Sequence, residues 1–286
     1  MTFNFSRSFS TRAGAEPLSD DSIRTLAPSA FAAEAHESRS ARYAYIPTSA
    51  VIEGMRAEGF LPVFAKQARC RDAGRQEHTK HMVRFRRQGV SPARRVGDSF
   101  PEIVLINSHD GSSSYHLMSG VFRLVCLNGM VVADRRGTEV RVPHKGDVVR
   151  QVIEGSHVVL DESQRALEAA DAWAGVPLGR DEQAALAEAA HVLRFGDAAG
   201  EADTPIRPAQ LLEARRSSDR SDDLWTVFNR VQENTIRGGL SAWGRDPNGR
   251  PRRVTSREVT GIDQDVRLNR ALWLLGERMA TLKGAA

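Results

Sequence analysis

The chain has 286 residues, 41% of them hydrophobic, 27% charged and 6% aromatic. That composition fits a soluble globular protein of one large or two small domains, and it excludes a collagen-like fibre, a disordered chain and a disulfide scaffold. The formal net charge is +4 but unevenly spread: residues 66–95 hold ten basic side chains against Asp72 and Glu77, a local +8, which leaves −4 for the rest.

No run reaches the roughly 18 consecutive apolar residues of a membrane helix, so no membrane partner is expected. The opening MTFNFSRSFSTRAGAEPLSDD is polar, so no secretory leader is expected either. Two cysteines, Cys70 and Cys126, make no framework, which points to a reducing cytoplasm.

Residues 1–47 read as an irregular arm with a short helix at 19–26. Pro47 biases Ile46 towards extended backbone, and Thr48 or Ser49 then caps a helix through residue 58. Strands follow at 61–71 and 78–88. Side chains alternate across a strand, so His81, Val83, Phe85 and Arg87 share one face, and Lys80, Met82, Arg84 and Arg86 share the other. The second face is so cationic that it is expected to meet solvent or a polyanion. Residues 89–97 form a loop, 103–107 an apolar strand, and His109-Asp-Gly-Ser-Ser113 a turn. Residues 114–127 read as one strand bulged at Gly120. Asn128-Gly129 is hairpin chemistry, leading to strands at 130–133 and 139–142.

After Gly146 the pattern turns helical. Asp147 caps a long helix to about residue 174, and a second helix covers 181–195. Residues 197–208 are a loop and 209–216 a short helix. Ser221 caps a helix over 222–237, with Leu224, Trp225, Phe228, Val231 and Ile236 as its apolar stripe. Gly238 and Gly239 stop it. Residues 241–256 read as a Gly/Pro/Arg loop, and 263–282 as the last helix. The plan is α+β, an antiparallel sheet of about five strands followed by a helical C-terminal half. It divides into an arm (1–47), a β-rich core with its long helix (48–175) and a helical region (176–286).

Arginine and lysine neutralise phosphate, the main source of sequence-independent affinity for nucleic acid. The candidate track is Lys66, Arg69, Arg71, Lys80, Arg84, Arg86, Arg87, Arg94 and Arg95, with Tyr45 and Phe85 as stacking partners for bases. A second basic stretch holds Arg245, Arg250, Arg252, Arg253 and Arg257. The plainer explanations are an edge strand protected by charge and an arginine-rich genome, since only four of 40 basic residues are lysine. His78, His81, His109, Asp110 and His116 are weak metal candidates, because no carboxylate cluster accompanies them. Cys126 lies in an apolar strand and reads as an inert buried thiol; Cys70 sits between Arg69 and Arg71, which favours a thiolate. Neither phosphate-binding glycine motif is present, so no nucleotide cofactor is expected. His144 and Lys145 precede a helix N-terminus, where phosphate can bind or a simple cap can form. Polar residues 232–239 could line a site or only end a helix.

Several stretches carry a resemblance. They are Ser40-Ala-Arg-Tyr-Ala-Tyr-Ile-Pro47, His78-Thr-Lys-His-Met-Val-Arg84, Ile103-Val-Leu-Ile-Asn-Ser-His-Asp-Gly111, Gly120-Val-Phe-Arg-Leu-Val-Cys-Leu-Asn-Gly129, Val140-Arg-Val-Pro-His-Lys-Gly-Asp147, Asp223-Leu-Trp225 and the segment 261–273. Together the chain resembles the YfjQ/YafZ-type proteins of prophages and plasmids, a family of unknown function, from about Leu18 to the last helix. The resemblance implies residence on mobile elements and names no catalytic residues. The order of elements is also similar to the core of ring-forming single-strand annealing proteins, an analogy at the level of fold. It implies a homo-oligomer, a ring, with single-stranded DNA in a basic groove. The expectation is therefore a DNA-binding protein that anneals or protects single strands in recombination without catalysis. The alternatives are a metal-dependent nucleic-acid-processing enzyme and a host-defence antagonist that binds a host protein.

Overall fold

The computed structural model describes residues 17–38, 45–70, 72–89, 99–123, 129–131, 139–196, 204–246 and 248–285. It separates into two units, Met1–Ala166 and Leu167–Ala286. The expected α+β plan is what is observed.

In the first unit, α1 (Asp20–Leu26) is capped by Ser19, whose Oγ accepts from Ser22 N at 3.2 Å. A 3₁₀ turn, Pro28–Phe31, leads towards α2 (Thr48–Ala57). The cap position of α2 is Pro47 rather than Thr48 or Ser49, because the Thr48 hydroxyl is engaged elsewhere. The sheet runs β1 (Phe60–Gln67), β2 (His81–Arg87), β3 (Ser99–Asn107), β4 (Tyr115–Arg123) and β5 (Gly129–Val131), each antiparallel to its neighbour. A sixth strand, β6 (Val140–Val142), also pairs with β4. The bulge expected at Gly120 is absent: Gly120 pairs in register with Glu102, and the irregularity falls in β1 between Pro62 and Phe64. The Asn128 turn and Cys126 lie outside the described residues.

One face of the sheet forms the core. Val83, Phe85, Ile103, Leu105, Tyr115 and Leu117 point at Val51, Ile52 and Met55 of α2 and at Val148, Val152 and Val159 of α3 (Val148–Trp173). Each such side chain, fully buried, adds about 1.5–3 kcal/mol. Asp147 starts α3 as expected, its Oδ1 accepting from Arg150 N at 3.1 Å. The helix lies close on the sheet: a Cβ on Gly155 would come within 2.7 Å of Val140 Cγ1 and 3.0 Å of Leu117 Cδ1. β3 is buried along its whole length, so the opposite face of the sheet is not left to solvent either.

The second unit begins with the end of α3 and adds α4 (Arg180–Phe195), α5 (Leu224–Arg237) and α6 (Ile262–Leu282). Its aromatic centre is Trp173, Trp225, Phe228 and Trp273; the Trp173 and Trp273 rings lie 4.6 Å apart. The cap of α5 is Asp223, not Ser221, with Oδ1 accepting from Thr226 N at 2.8 Å. Residues 208–212 wind as a 3₁₀ turn, which Pro208 opens. The segment expected to be a loop at 241–256 is instead a hairpin, β7 (Ser241–Arg245) paired with β8 (Pro251–Thr255). Gly249 sits at the turn and Pro251 at the first position of β8, where a hairpin tolerates them, while Gly244 lies within β7.

Candidate functional site

The alternation of β2 holds, but its consequence differs from expectation. Arg84 and Arg86 do share a face, yet Arg84 is 7% exposed. The reason is Glu102, a buried carboxylate on β3. Its Oε2 lies 3.3 Å from Arg84 Nε and its Oε1 2.7 Å from Arg86 Nη2. The Arg84 guanidinium lies over the rings of Phe64 and Phe122, each at 4.2 Å, and that of Arg86 over Phe100 at 3.7 Å. Planar, weakly hydrated guanidinium suits such stacking, so these two arginines can leave water where lysines could not. The signal for this was a lone acid inside the apolar run Phe100-Pro-Glu-Ile-Val-Leu-Ile106.

The same sheet positions the other track candidates apart from one another. Lys66 and Lys80 stand at the end of the β1–β2 hairpin, half-exposed, with Arg69 exposed beyond them. Arg87 is exposed at the far end of the hairpin, opposite Phe60. The six residue steps from Phe60 to Lys66 put about 20 Å between these ends. Phe85 is wholly buried in the core and offers no face to a base. Tyr45 is half-buried; its hydroxyl donates to Ala32 O and its ring meets His109 edge-on at 5.1 Å. Arg71, Arg94 and Arg95 lie outside the described residues.

The histidines gather where the sequence offered no pairing signal, around Thr48 at the start of α2. Thr48 Oγ1 lies 2.9 Å from His81 Nε2, 3.1 Å from His109 Nε2, 3.1 Å from Asn107 Nδ2 and 3.2 Å from Tyr115 Oη. The Tyr115 hydroxyl donates to Ile46 O. His81 Nδ1 faces Thr79 O at 3.2 Å and Ser29 Oγ at 2.9 Å. A carbonyl only accepts, so Nδ1 carries the proton and Nε2 accepts from the Thr48 hydroxyl. Thr48 Oγ1 then accepts from Asn107 and from His109 Nε2–H. His109 Nδ1 is left as a lone pair, buried and without a hydrogen-bond partner. His144 joins through Asn107, its Nε2 3.0 Å from Asn107 Oδ1.

Both central rings are neutral. Burial foremost, with neighbouring histidines adding to it, pulls the His81 pKa down to about 4 and that of His109 to about 3. Burial likewise lowers His144. The His78 ring lies edge-on to His36 at 5.4 Å while its carbonyl accepts from His109 N at 2.9 Å, and Asp110 Oδ1 caps its own turn by accepting from Ser112 N at 2.9 Å. Among the described residues no three His, Cys, Asp or Glu side chains are grouped to hold a metal ion. The histidines instead tie β2, β3, β4, α2 and the approach to α3 together. His144 turns into this hub while Lys145 is exposed. His116 pairs with Glu139 at 2.9 Å.

Cys70 is a half-buried free thiol. The polar run at the end of α5 is buried and internally bonded. Glu233 accepts both arms of Arg216 at 2.7 and 2.6 Å, and Asn234 Nδ2 donates to Leu211 O and Glu213 O, both at 2.9 Å. It fastens the 208–219 segment to the helix. No helix among the described residues is long and apolar enough to cross a membrane.

The model of a domain of unknown function (DUF932) matches residues 35–273. Two relatives from Escherichia coli (strain K12) are similar over most of their length. UPF0380 protein YafZ is 50% identical over 265 residues, covering 93% of this chain and 92% of the relative. UPF0380 protein YfjQ is 49% identical over 265 residues with the same coverage. No solved structure matches. The resemblance read from the quoted motifs is thus borne out across the chain, and the protein belongs to the DUF932 family.

Proposed function

We propose that this protein binds single-stranded DNA and pairs or protects strands during recombination of mobile elements, without catalysis. The observation that carries the reading is the fate of the basic segment. Of its described cations, only Arg84 and Arg86 turn inward to Glu102, while Lys66, Arg69, Arg75, Lys80 and Arg87 keep contact with solvent. Edge protection alone does not call for cations at both ends of the hairpin, whereas a polyanion that runs past the sheet is served by them. Annealing needs two strands held together, which a homo-oligomer supplies.

A strand-annealing assay tests this. Two complementary labelled oligonucleotides are mixed with and without protein, and duplex formation is followed by fluorescence. The expected result is acceleration that fades with added salt and is reduced in a Lys66→Ala/Arg69→Ala/Lys80→Ala variant. Unchanged annealing rates with the native protein would contradict the reading.

A further inference from the structure

The β7–β8 hairpin of the second unit is built to display one aromatic ring among cations. The register pairs Ser241 with Thr255, Trp243 with Arg253, and Arg245 with Pro251. Directly paired residues share a face, and the bond of 2.8 Å between Ser241 Oγ and Thr255 Oγ1 marks it. Trp243, Arg253 and Arg245 therefore stand together on one face of the ribbon. The other face carries Ala242, Gly244, Arg252 and Val254, and it is seated at Gly244, where a Cβ would come within 3.1 Å of Pro205 Cγ. Gln210 Nε2 holds the root by donating to Ser241 O at 3.0 Å.

Trp243 is 73% exposed, whereas Trp173, Trp225 and Trp273 are at most 4% exposed. An indole left in water beside arginines, on a pinned ribbon, contributes nothing to this unit's core. Residues 241–255 hold Arg245, Arg250, Arg252 and Arg253 against Asp246 alone, a net +3. All four arginines are exposed, and none makes an ion pair among the described residues. Asp246 is turned into the hairpin bend, its Oδ1 accepting from Asn248 N and Arg250 N, each at 2.9 Å. Gly249, at φ +76°, closes the bend. Arg245 Nη1 donates to Gly249 O at 2.7 Å, which sets its side chain along the ribbon.

We infer that this ribbon is a binding site for single-stranded nucleic acid, with Trp243 stacking on a base and Arg245 and Arg253, on the same face, meeting the flanking phosphates. Base stacking on an exposed aromatic, beside backbone-tracking cations, is how single strands are held without sequence preference. An anionic lipid surface is the weaker match. The residues beside Trp243 on its face are Ser241, Thr255 and Pro251, which add little apolar area to insert. The inference rests on the proposed function and places a contact in a unit where the basic segment of the sheet has no part.

The test uses the full chain and its intrinsic fluorescence. The three buried tryptophans report little to a quencher in solution, so emission lost on adding an oligothymidylate comes from Trp243. Quenching is expected for the native protein, and its loss for Trp243→Phe. Trp243→Ala is expected to weaken binding between about 5-fold and about 150-fold, the range for one base–aromatic stack. Arg245→Ala/Arg253→Ala should flatten the slope of log affinity against log salt by about 1.4. Near-ultraviolet circular dichroism of the buried tryptophans checks that each variant is folded. If native protein binds the oligonucleotide but Trp243→Ala binds equally well, the ribbon is not the site and the proposed function stands. If native protein binds no oligonucleotide, or if its emission shifts only with vesicles of anionic phospholipid, both fall.

Discussion

At the scale of residues, Thr48 is the point on which the first unit turns. Its one hydroxyl faces His81, His109, Asn107 and Tyr115. Thr48→Val keeps the shape and removes the oxygen, leaving buried donors and acceptors unmatched. A loss of about 3 kcal/mol is expected, read from urea denaturation, since each unsatisfied buried group costs about 1–3 kcal/mol. The imidazoles add a pH dependence. Unfolded, both take up a proton near pH 6.5; folded, His81 does so only near 4 and His109 near 3. Stability contributed by their neutral forms is whole above about pH 6.5 and is lost as pH falls towards those lower values. The slope is up to about 1.4 kcal/mol per pH unit for each ring. His109→Gln should roughly halve that slope between pH 6 and 5; an unchanged slope would place the coupled proton elsewhere. None of this was legible beforehand. His81 and His109 were visible as residues, but their partners lie 33 and 61 positions from them in the chain, and no local pattern reports a shared hydroxyl.

At the scale of elements, the buried Arg84–Glu102–Arg86 triad joins β2 to β3. Two cations share one carboxylate in a place that water hardly reaches. Glu102→Gln removes the anion that both guanidiniums share, for which a loss of about 3–5 kcal/mol is expected in chemical denaturation. Gly155 offers a second test. In an exposed helix Gly→Ala gains up to about 1 kcal/mol. Here the new methyl would sit 2.7 Å from Val140 Cγ1, so Gly155→Ala is expected to lower the melting temperature instead. The alternation of β2 was legible because its period is local. What covers each face was not, since alternation tells sides apart without naming the buried one. The hairpin at 241–256 was missed for a related reason. Its Arg, Gly and Pro content mimics a loop, and only the pairing of Trp243 with Arg253 shows the strands.

At the scale of the whole molecule, the helical half was read most reliably. The helices α3, α4, α5 and α6 fall within about two residues of their expected limits, because caps and apolar stripes are local signals. The charge excess was also legible, but its division into structural and surface arginines required the fold. The surface share is proposed to meet single-stranded nucleic acid. Fluorescence anisotropy of a labelled single strand, titrated at two salt concentrations beside a duplex of the same sequence, tests it most directly. Tighter binding to the single strand is expected, weakening steeply as salt rises. Failure to bind either form at low salt would contradict it.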